Sequence, residues 1–307
     1  MEKDTGKVLY EEKYVELNKK SIVTETFEPV QGYMPDAYQK RLVLSANPEE
    51  NVLTFYYTKD DERAYYIINY YVRNLSGEGY TVIRTLQAHD KIGTTVKAAD
   101  LDLLGYEYVG YKVNDTAAVP SSENALSGSA EGELTAQGLK LDLYYERVEC
   151  SYVVRYLEYG TENVLLPEKN VGNTPYGTRI TEDAPEITGY DFAGESRKYL
   201  TVGINEERNI ITFYYTEQNV KYEYIAVGSG LVTPGNETVR ATTGTAVGSV
   251  PAPNPGYRFE GWYTDAECRI PAEENVVIDG TTGRLTPQKQ GEIYVGATYY
   301  AKVVPST

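Results

Sequence analysis

The chain has 307 residues, of which 41% are hydrophobic, so the sequence predicts a folded protein with more than one domain. Its formal net charge of −16 opposes binding to nucleic-acid phosphates and to anionic lipid headgroups, and we expect neither partner. Its aromatic residues are mostly tyrosine, with 31 Tyr against 5 Phe and 1 Trp. Tyrosine suits half-buried strands, because the ring packs while the hydroxyl reaches water, so a sheet-rich chain without a deep apolar cavity is expected.

Three short motifs recur in a fixed order, an opening strand, a Gly-Tyr pair and a closing strand. The opening strand carries Tyr at alternate positions, and its candidates are Tyr66–Tyr70, Tyr152–Tyr156 and Val220–Tyr224. The second motif is a Gly-Tyr pair that begins at Gly32, Gly105, Gly189 and Gly256. The closing strand ends in paired Tyr, at Phe55–Tyr57, Leu143–Tyr145, Phe213–Tyr215 and Thr298–Tyr300.

The spacing of these motifs predicts four modules in tandem. From the last Tyr of the opening strand to the Gly, the steps are 35, 33 and 32 residues (70 to 105, 156 to 189 and 224 to 256). Short charged or polar joints follow each closing strand. Joints of this length favour an elongated rod over modules that reorient independently. We name the predicted modules first to fourth, and they cover residues 1–60, 61–148, 149–218 and 219–307.

The first module lacks an opening strand, because 33 positions before Gly32 falls ahead of Met1. Residues 6–10 match residues 162–166 instead, a segment that follows the opening strand of the third module. We expect either a chain cut inside a module or a degenerate first module, with an unpaired sheet edge.

Period-2 alternation in the closing strands predicts which side chains enter the core. One face carries Leu53, Phe55 and Tyr57 in the first module, and its counterparts are Leu141, Leu143, Tyr145, Ile211, Phe213 and Tyr215. In the fourth module the more apolar face carries Ile293, Val295, Ala297 and Tyr299, which indicates an alignment off by one residue or a β-bulge. Helix signals are poor, with one candidate helical turn over residues 97–104.

Two known repeat families are similar to this sequence. Residues Ile187–Tyr190 and Asn209–Tyr215 of the third module, and Pro29–Tyr33 and Asn51–Tyr57 of the first, resemble the MucBP (mucin-binding protein) repeat. The string PGYRFEGWYTD over residues 255–265 of the fourth module resembles the internalin B-type (Listeria–Bacteroides) repeat. The second module carries a diluted version of it, Leu104–Tyr111, with Tyr111 where Trp262 stands.

These resemblances imply small β-grasp-like, ubiquitin-like sheets, a mainly β fold with a small α+β element, and secreted surface proteins of Gram-positive bacteria. Some members of these families bind mucin or other host glycoproteins. The resemblance therefore implies an extracellular, cell-surface or cell-wall location. Residues 1–30 contain no apolar signal-peptide core and the chain has no wall-sorting motif, so we expect a fragment. No apolar stretch approaches the roughly 18 residues of a spanning helix, so no membrane insertion is expected.

Catalytic and metal-binding signals are poor, and we predict a non-enzymatic, monomeric protein without a cofactor or metal. His89 is the only histidine, and no nucleophile elbow accompanies it. Cys150 and Cys268 are too far apart for a disulfide framework or, with one His, for a zinc site. Asp100, Asp102 and residues 205–207 could ligate calcium but match no calcium loop.

Three features have both a structural and a ligand-binding interpretation. Trp262 can stack on a sugar ring or pack against its own sheet, and the second is favoured. The outer Tyr faces can bind glycans or remain solvated. Residues 120–130 of the second module form a loop that either recognises a binding partner or is a flexible surface loop without a ligand. No ligand-binding residue can be assigned from the sequence.

Three functions compete at this point. The first is an adhesin module that binds host mucin, another glycoprotein or a glycan. The second is a passive stalk that presents another domain, and the third, least favoured, is a piece of an enzyme. Lys–Asn isopeptide crosslinks are known in Gram-positive surface modules, but no spacing here identifies the residues.

Overall fold

The computed structural model describes residues 1–17 and 22–307, and this part of the chain is mainly β, as predicted. The described residues form 24 strands and two short 3₁₀ helices, Pro48–Glu50 and Glu206–Arg208. Within these residues no helix is long and apolar enough to cross a bilayer. The predicted helical turn over residues 97–104 is wrong, because the chain there continues from a short strand into irregular structure.

The fold divides into two compact units. The first comprises Met1–Cys150, Gly172–Thr178 and Val202–Glu206, and the second comprises Ser151–Val171, Arg179–Thr201 and Glu207–Thr307. The first two predicted modules lie in the first unit, and the fourth lies in the second unit. The four module boundaries remain a prediction from the repeat.

The first module contains two separate antiparallel pairs. Its strands are β1 (Ile22–Thr26), β2 (Tyr33–Pro35), β3 (Gln39–Val43) and β4 (Tyr57–Lys59). Strand β1 pairs with β3, and β2 pairs with β4. Residues 51–56, expected in the closing strand, lie outside any strand, but Glu2 forms a parallel bridge with Tyr57. The Glu2 bridge thus lies where an opening strand would meet the closing strand.

The second module is built on a four-stranded sheet in the order β6-β5-β10-β8. Its strands are β5 (Arg63–Arg73), β6 (Tyr80–Lys91), β7 (Thr95–Lys97), β8 (Tyr106–Val113), β9 (Glu131–Glu133) and β10 (Leu139–Arg147). The opening strand β5 and the closing strand β10 are parallel neighbours at the centre, while β6 and β8 flank them in antiparallel pairs.

The third module repeats this order as β12-β11-β16-β14. Its strands are β11 (Glu149–Glu158), β12 (Val164–Pro175), β13 (Arg179–Asp183), β14 (Tyr190–Phe192), β15 (Arg197–Thr201) and β16 (Ile210–Glu217). Strands β11 and β16 are parallel, β14 and β16 are antiparallel, and β13 pairs separately with β15.

The fourth module has the order β19-β17-β24-β21, again with parallel central strands β17 and β24. Its strands are β17 (Asn219–Val227), β18 (Gly230–Thr233), β19 (Asn236–Arg240), β20 (Val250–Pro253), β21 (Tyr257–Tyr263), β22 (Val276–Ile278), β23 (Leu285–Pro287) and β24 (Ala297–Pro305). Its core surrounds Tyr222, Tyr224, Trp262 and Tyr299.

Each Gly-Tyr motif forms a turn that leads into the strand beside the closing strand. The Tyr amide donates to the carbonyl three residues earlier, from Tyr33 to Val30 in the first module and likewise at Tyr106, Tyr190 and Tyr257. The Gly has a φ of +77° to +85° in all four turns, a left-handed conformation that other residues adopt with strain. Its carbonyl then accepts a hydrogen bond from the residue that follows the closing strand, at Asp60, Val148, Gln218 and Ser306.

The second Tyr of the closing strand is a core residue with a hydrogen-bonded hydroxyl. The Tyr57 hydroxyl donates to the Glu28 carbonyl at 2.6 Å, and the Tyr215 hydroxyl donates to the Pro185 carbonyl at 2.8 Å. The Tyr145 hydroxyl accepts from the Leu101 amide at 2.9 Å. In each case the partner lies four residues before the Gly of the turn. The hydrogen bond explains why Tyr rather than Phe occupies a buried position.

The core faces of the second and third closing strands agree with the predicted alternation, since Leu141, Leu143, Tyr145, Phe213 and Tyr215 are buried. The alignment of the fourth module was wrong. The Ser306 bond to Gly256 matches the Gln218 bond to Gly189, so Val303, not Tyr300, is the counterpart of Tyr215. Odd-numbered residues do face the core there, and Tyr299, Ala301 and Val303 are buried.

Candidate functional site

The outer face of the third sheet presents an accessible aromatic surface. Tyr159 follows β11 and is 68% exposed, and its ring meets the half-buried ring of Tyr214 on β16 edge to face, with centroids 5.9 Å apart. Leu157 lies opposite Tyr214 in the parallel ladder. Arg155, two residues earlier on the same face, pairs with Glu168 of β12. We call these five residues the open tyrosine face.

The open tyrosine face combines ring surface with hydrogen-bonding groups. The Arg155 Nε atom lies 2.6 Å from the Glu168 Oε1 atom, and the side chains of Arg155 and Glu168 are 41% and 42% exposed. Arg155 lies four residues, roughly 13 Å, from Tyr159 along the strand. An oligosaccharide that stacks on Tyr159 and extends along the face would therefore meet a guanidinium and a carboxylate for its hydroxyl groups. Sequence alternation places Tyr214 on the outer face, but the approach of Glu168 from the neighbouring strand required the structure.

The corresponding face of the second sheet is closed. Tyr144 occupies the position of Tyr214 but is only 1% exposed. Tyr71 stacks on it with centroids 5.4 Å apart, and Tyr80 meets it edge to face at 5.0 Å. The Ser122 Oγ atom lies 2.6 Å from the Tyr80 hydroxyl, within hydrogen-bond distance. Burial raises the pKa of the Tyr144 hydroxyl well above its usual range.

The predicted recognition loop of the second module contributes to this closure. Leu126 and Tyr111 exchange two backbone hydrogen bonds, at 2.7 and 3.0 Å, which hold the loop against β8. Hydrogen bonds from Arg73 lower the pKa of Glu146, which also accepts a hydrogen bond from Tyr80. Whether residues 120–130 recognise a partner remains a prediction, but their inner side packs on their own sheet.

A buried polar network lies on the same closed face. Asp142 is 3% exposed and accepts a hydrogen bond from Asn69 Nδ2 at 2.8 Å, and it lies 3.3 Å from Lys140 Nζ. Asn69 in turn accepts from Thr85. These side chains satisfy one another, so the network stabilises the central parallel pair β5 and β10.

Trp262 is a core residue, as the sequence favoured. Its side chain is 2% exposed and its Nε1 atom donates to the Gly283 carbonyl at 2.8 Å. Its ring meets Tyr224 and Phe259 edge to face, with centroids 5.9 and 6.0 Å away. Its own module thus encloses the indole, and a stacked sugar has no access to it.

The remaining candidate residues are dispersed. His89 is exposed, with Nδ1 2.5 Å from the Tyr38 hydroxyl and Nε2 3.3 Å from Arg63 Nη1. Cys150 and Cys268 are buried free thiols, and burial raises the pKa of each. Asp100 accepts from the Tyr145 hydroxyl at 2.8 Å. Among the described residues no group of three His, Cys, Asp or Glu side chains is arranged to hold a metal ion.

The joints after the second and third modules share one backbone arrangement. Val148 donates to the Gly105 carbonyl and accepts from the Tyr176 amide. Gln218 donates to Gly189 and accepts from Ala241 in the same way. At each joint a single residue is therefore hydrogen-bonded to the turn of one module and to the residue that follows a strand of the next.

Charged side chains strengthen both joints. Arg147 donates to the Arg73 and Tyr176 carbonyls. The corresponding Glu217, with 0% side-chain exposure, accepts from the amides and hydroxyls of Thr242 and Thr243, and its Oε2 atom lies 2.8 Å from Arg240 Nε. Burial alone would raise the pKa of Glu217, but these hydrogen bonds lower it to about 2.

Comparisons with known proteins give no family for this chain. No protein-family model matches it, and no curated protein matches it. Among solved structures it is similar to the Bacillus anthracis TIE protein, with 10% sequence identity and a TM-score of 0.39. That alignment covers 87% of this chain and 54% of the other, so this chain spans about half the length of the solved one. A likeness of this size assigns neither a fold family nor a function.

Proposed function

We propose that the chain is the extracellular repeat region of a bacterial cell-surface protein that binds host mucin, another glycoprotein or a glycan. The observation that carries the proposal is the open tyrosine face, where the exposed Tyr159 ring meets Tyr214 and the Arg155–Glu168 pair lies farther along the same face. Aromatic rings edged by hydrogen-bonding side chains suit the apolar face and the hydroxyl rim of a sugar.

The proposed fold of each module is β-grasp-like. The shared strand order, with parallel opening and closing strands at the centre and antiparallel strands outside, supports it in the second, third and fourth modules. The likeness to MucBP and internalin B-type repeats is the basis for the proposed location at the cell surface.

Binding to immobilised mucin O-glycopeptides, followed by biolayer interferometry, tests the proposal. We expect Tyr159→Ala to weaken binding about tenfold, which corresponds to about 1.4 kcal/mol. Tyr199→Ala is the matched control, because Tyr199 is 56% exposed in the same module but lies on the small β13–β15 sheet. Equal binding by Tyr159→Ala and the unsubstituted chain would contradict the proposed site.

The alternative function is a stalk that only presents another domain. The hydrogen-bonded joints at Val148 and Gln218 favour this alternative, because a stalk needs little loose chain between consecutive modules. We propose a monomeric, elongated rod in either case. Small-angle scattering tests the rod, since a compact particle would contradict it, and the absence of any glycan or mucin binding would favour the stalk.

A further inference from the structure

The chain enters and leaves three of its modules along neighbouring parallel strands. The second module begins with β5 and ends with β10, which pair in parallel from Tyr66–Leu139 to Val72–Tyr145. In the third module β11 and β16 pair from Val153–Ile210 to Glu158–Tyr215. In the fourth module β17 and β24 pair from Tyr222–Ala297 to Val227–Lys302.

Tension on such a module acts along these strands. Because the two strands run in the same direction, the start of the first and the end of the second lie at opposite ends of the ladder. A pull on these two points slides one strand past the other and loads all of the interstrand hydrogen bonds together. A pull on two paired residues at one end of an antiparallel ladder opens the hydrogen bonds one after another, at lower force.

We propose that the parallel opening and closing strands form a shear clamp, which lets the chain act as a tether that withstands tension. The joints pass tension from clamp to clamp with little slack, since only Val148 separates β10 from β11 and only Gln218 separates β16 from β17. The clamp needs no ligand, so this function is independent of glycan binding.

Pulling direction in optical tweezers gives the first test. Cys150→Ala and Cys268→Ala are made in every version of the full chain, so that handles attach only at introduced cysteines. Handles at Glu62→Cys and Glu149→Cys load β5 against β10 in shear. Handles at Glu62→Cys and Lys91→Cys open the β5–β6 ladder from the Arg63–Lys91 end.

We expect the second module to unfold at a force about twofold higher in the shear direction. The β5–β6 ladder contains more residue pairs than the β5–β10 ladder, so the number of hydrogen bonds alone predicts the opposite order. Equal forces, or a higher force for the Glu62–Lys91 direction, would overturn the clamp.

Engineered metal bridges give an independent test with the chain pulled by its two ends. Arg155→His with Thr212→His places two imidazoles opposite each other across the parallel clamp. Asp191→His with Thr216→His does so across the antiparallel edge pair β14–β16. Ni²⁺ bound by either pair should increase resistance to chemical denaturation.

Only the first pair should raise the force of one unfolding event when Ni²⁺ is added. Glu223→His with Thr298→His across β17 and β24 repeats the test in the fourth module, and its Ni²⁺-dependent rise in force would equally support the clamp. A Ni²⁺-dependent rise with the edge pair and none with either clamp pair would overturn the proposal. Neither result depends on glycan binding, so the clamp and the proposed function fail separately.

Discussion

At the residue scale, the buried polar groups of the closing strands and of the joint at Glu217 each have defined hydrogen-bond partners. Three closing-strand tyrosines place a ring in the core and a hydroxyl on the backbone four residues before the Gly-Tyr turn. Glu217 collects four hydrogen bonds and an ion pair at the joint after the third module. Burial of each group costs desolvation free energy, and its hydrogen bonds offset that cost only in one geometry.

Tyr215→Phe should lower the free energy of unfolding by about 1 kcal/mol, because the Pro185 carbonyl loses its hydroxyl donor while the ring volume is kept. Urea denaturation and hydrogen exchange of the second unit measure the loss. Tyr214→Phe is the control, since its ring lies on the outer face. An equal loss for both substitutions would contradict the role given to the Tyr215 hydroxyl.

The ionised Glu217 side chain should make stability depend on acid. Its pKa is lowered to about 2 in the folded protein, against about 4.3 in an unfolded chain, so its contribution is present above about pH 4.3 and is lost as pH falls toward 2. The shift corresponds to about 3 kcal/mol. Glu217→Gln should therefore destabilise the second unit at pH 7 and flatten its stability between pH 4.3 and 2.

Denaturation at several pH values, with Asp191→Asn as an exposed control, measures the Glu217 effect. The control should follow the unsubstituted chain closely. If Glu217→Gln kept the same acid dependence as the unsubstituted chain, another carboxylate would have to account for it.

At the scale of elements, two separate effects disfavour a side chain at the glycine of a Gly-Tyr turn: backbone strain and steric overlap of the added Cβ. All four glycines need positive φ, but their surroundings differ. A Cβ on Gly105 would overlap the Tyr176 ring, and one on Gly189 would lie 3.0 Å from Ile293. At Gly256 the space within 4 Å is open. Backbone strain is thus common to the turns, while steric overlap is specific to the joints.

The loss of stability caused by Gly→Ala should therefore differ among these positions. Gly256→Ala should cost about 1 kcal/mol from left-handed backbone strain alone. Gly105→Ala should cost about 3 kcal/mol, because the Tyr176 ring must also move, and Gly189→Ala should lie between them. Thermal or urea denaturation of the full chain gives the order. Equal costs at Gly105 and Gly256 would show that the Tyr176 contact contributes nothing.

At the scale of the whole molecule, the net charge of −16 constrains any ligand. Sialylated or sulfated glycans carry negative charge, so the field of the protein should oppose their approach. The Debye length falls from about 30 Å at 0.01 M salt to about 8 Å at 0.15 M, which screens this repulsion.

Affinity for an acidic mucin glycopeptide should therefore rise between 0.01 and 0.15 M salt, while affinity for its desialylated form should change little. Titrations at the two salt concentrations measure both. A fall in affinity with added salt would mean that a local positive group such as Arg155, rather than the net charge, dominates recognition.

Much of the fold followed from the sequence. The β class and the buried face of the second and third closing strands are local consequences of period-2 alternation. The turn at each Gly-Tyr pair, with glycine at positive φ, came from the structure. The fourth module was misaligned because its paired Tyr occur earlier in the strand, and no local pattern distinguishes a core Tyr from a core Val303. The four-module division, the MucBP and internalin B-type resemblance and the proposed binding remain predictions.

The amino-acid sequence by itself determined the β class and the apolar side of the second and third closing strands, because these depend on neighbours one to four positions away. Only the tertiary structure decided that Tyr144 is enclosed while its counterpart Tyr214 lies beside the exposed Tyr159. It likewise decided that opening and closing strands pair in parallel and that Glu217 meets Arg240 and two threonines. Such contacts join residues far apart in the chain, and their energies depend on packing and desolvation that no local pattern records.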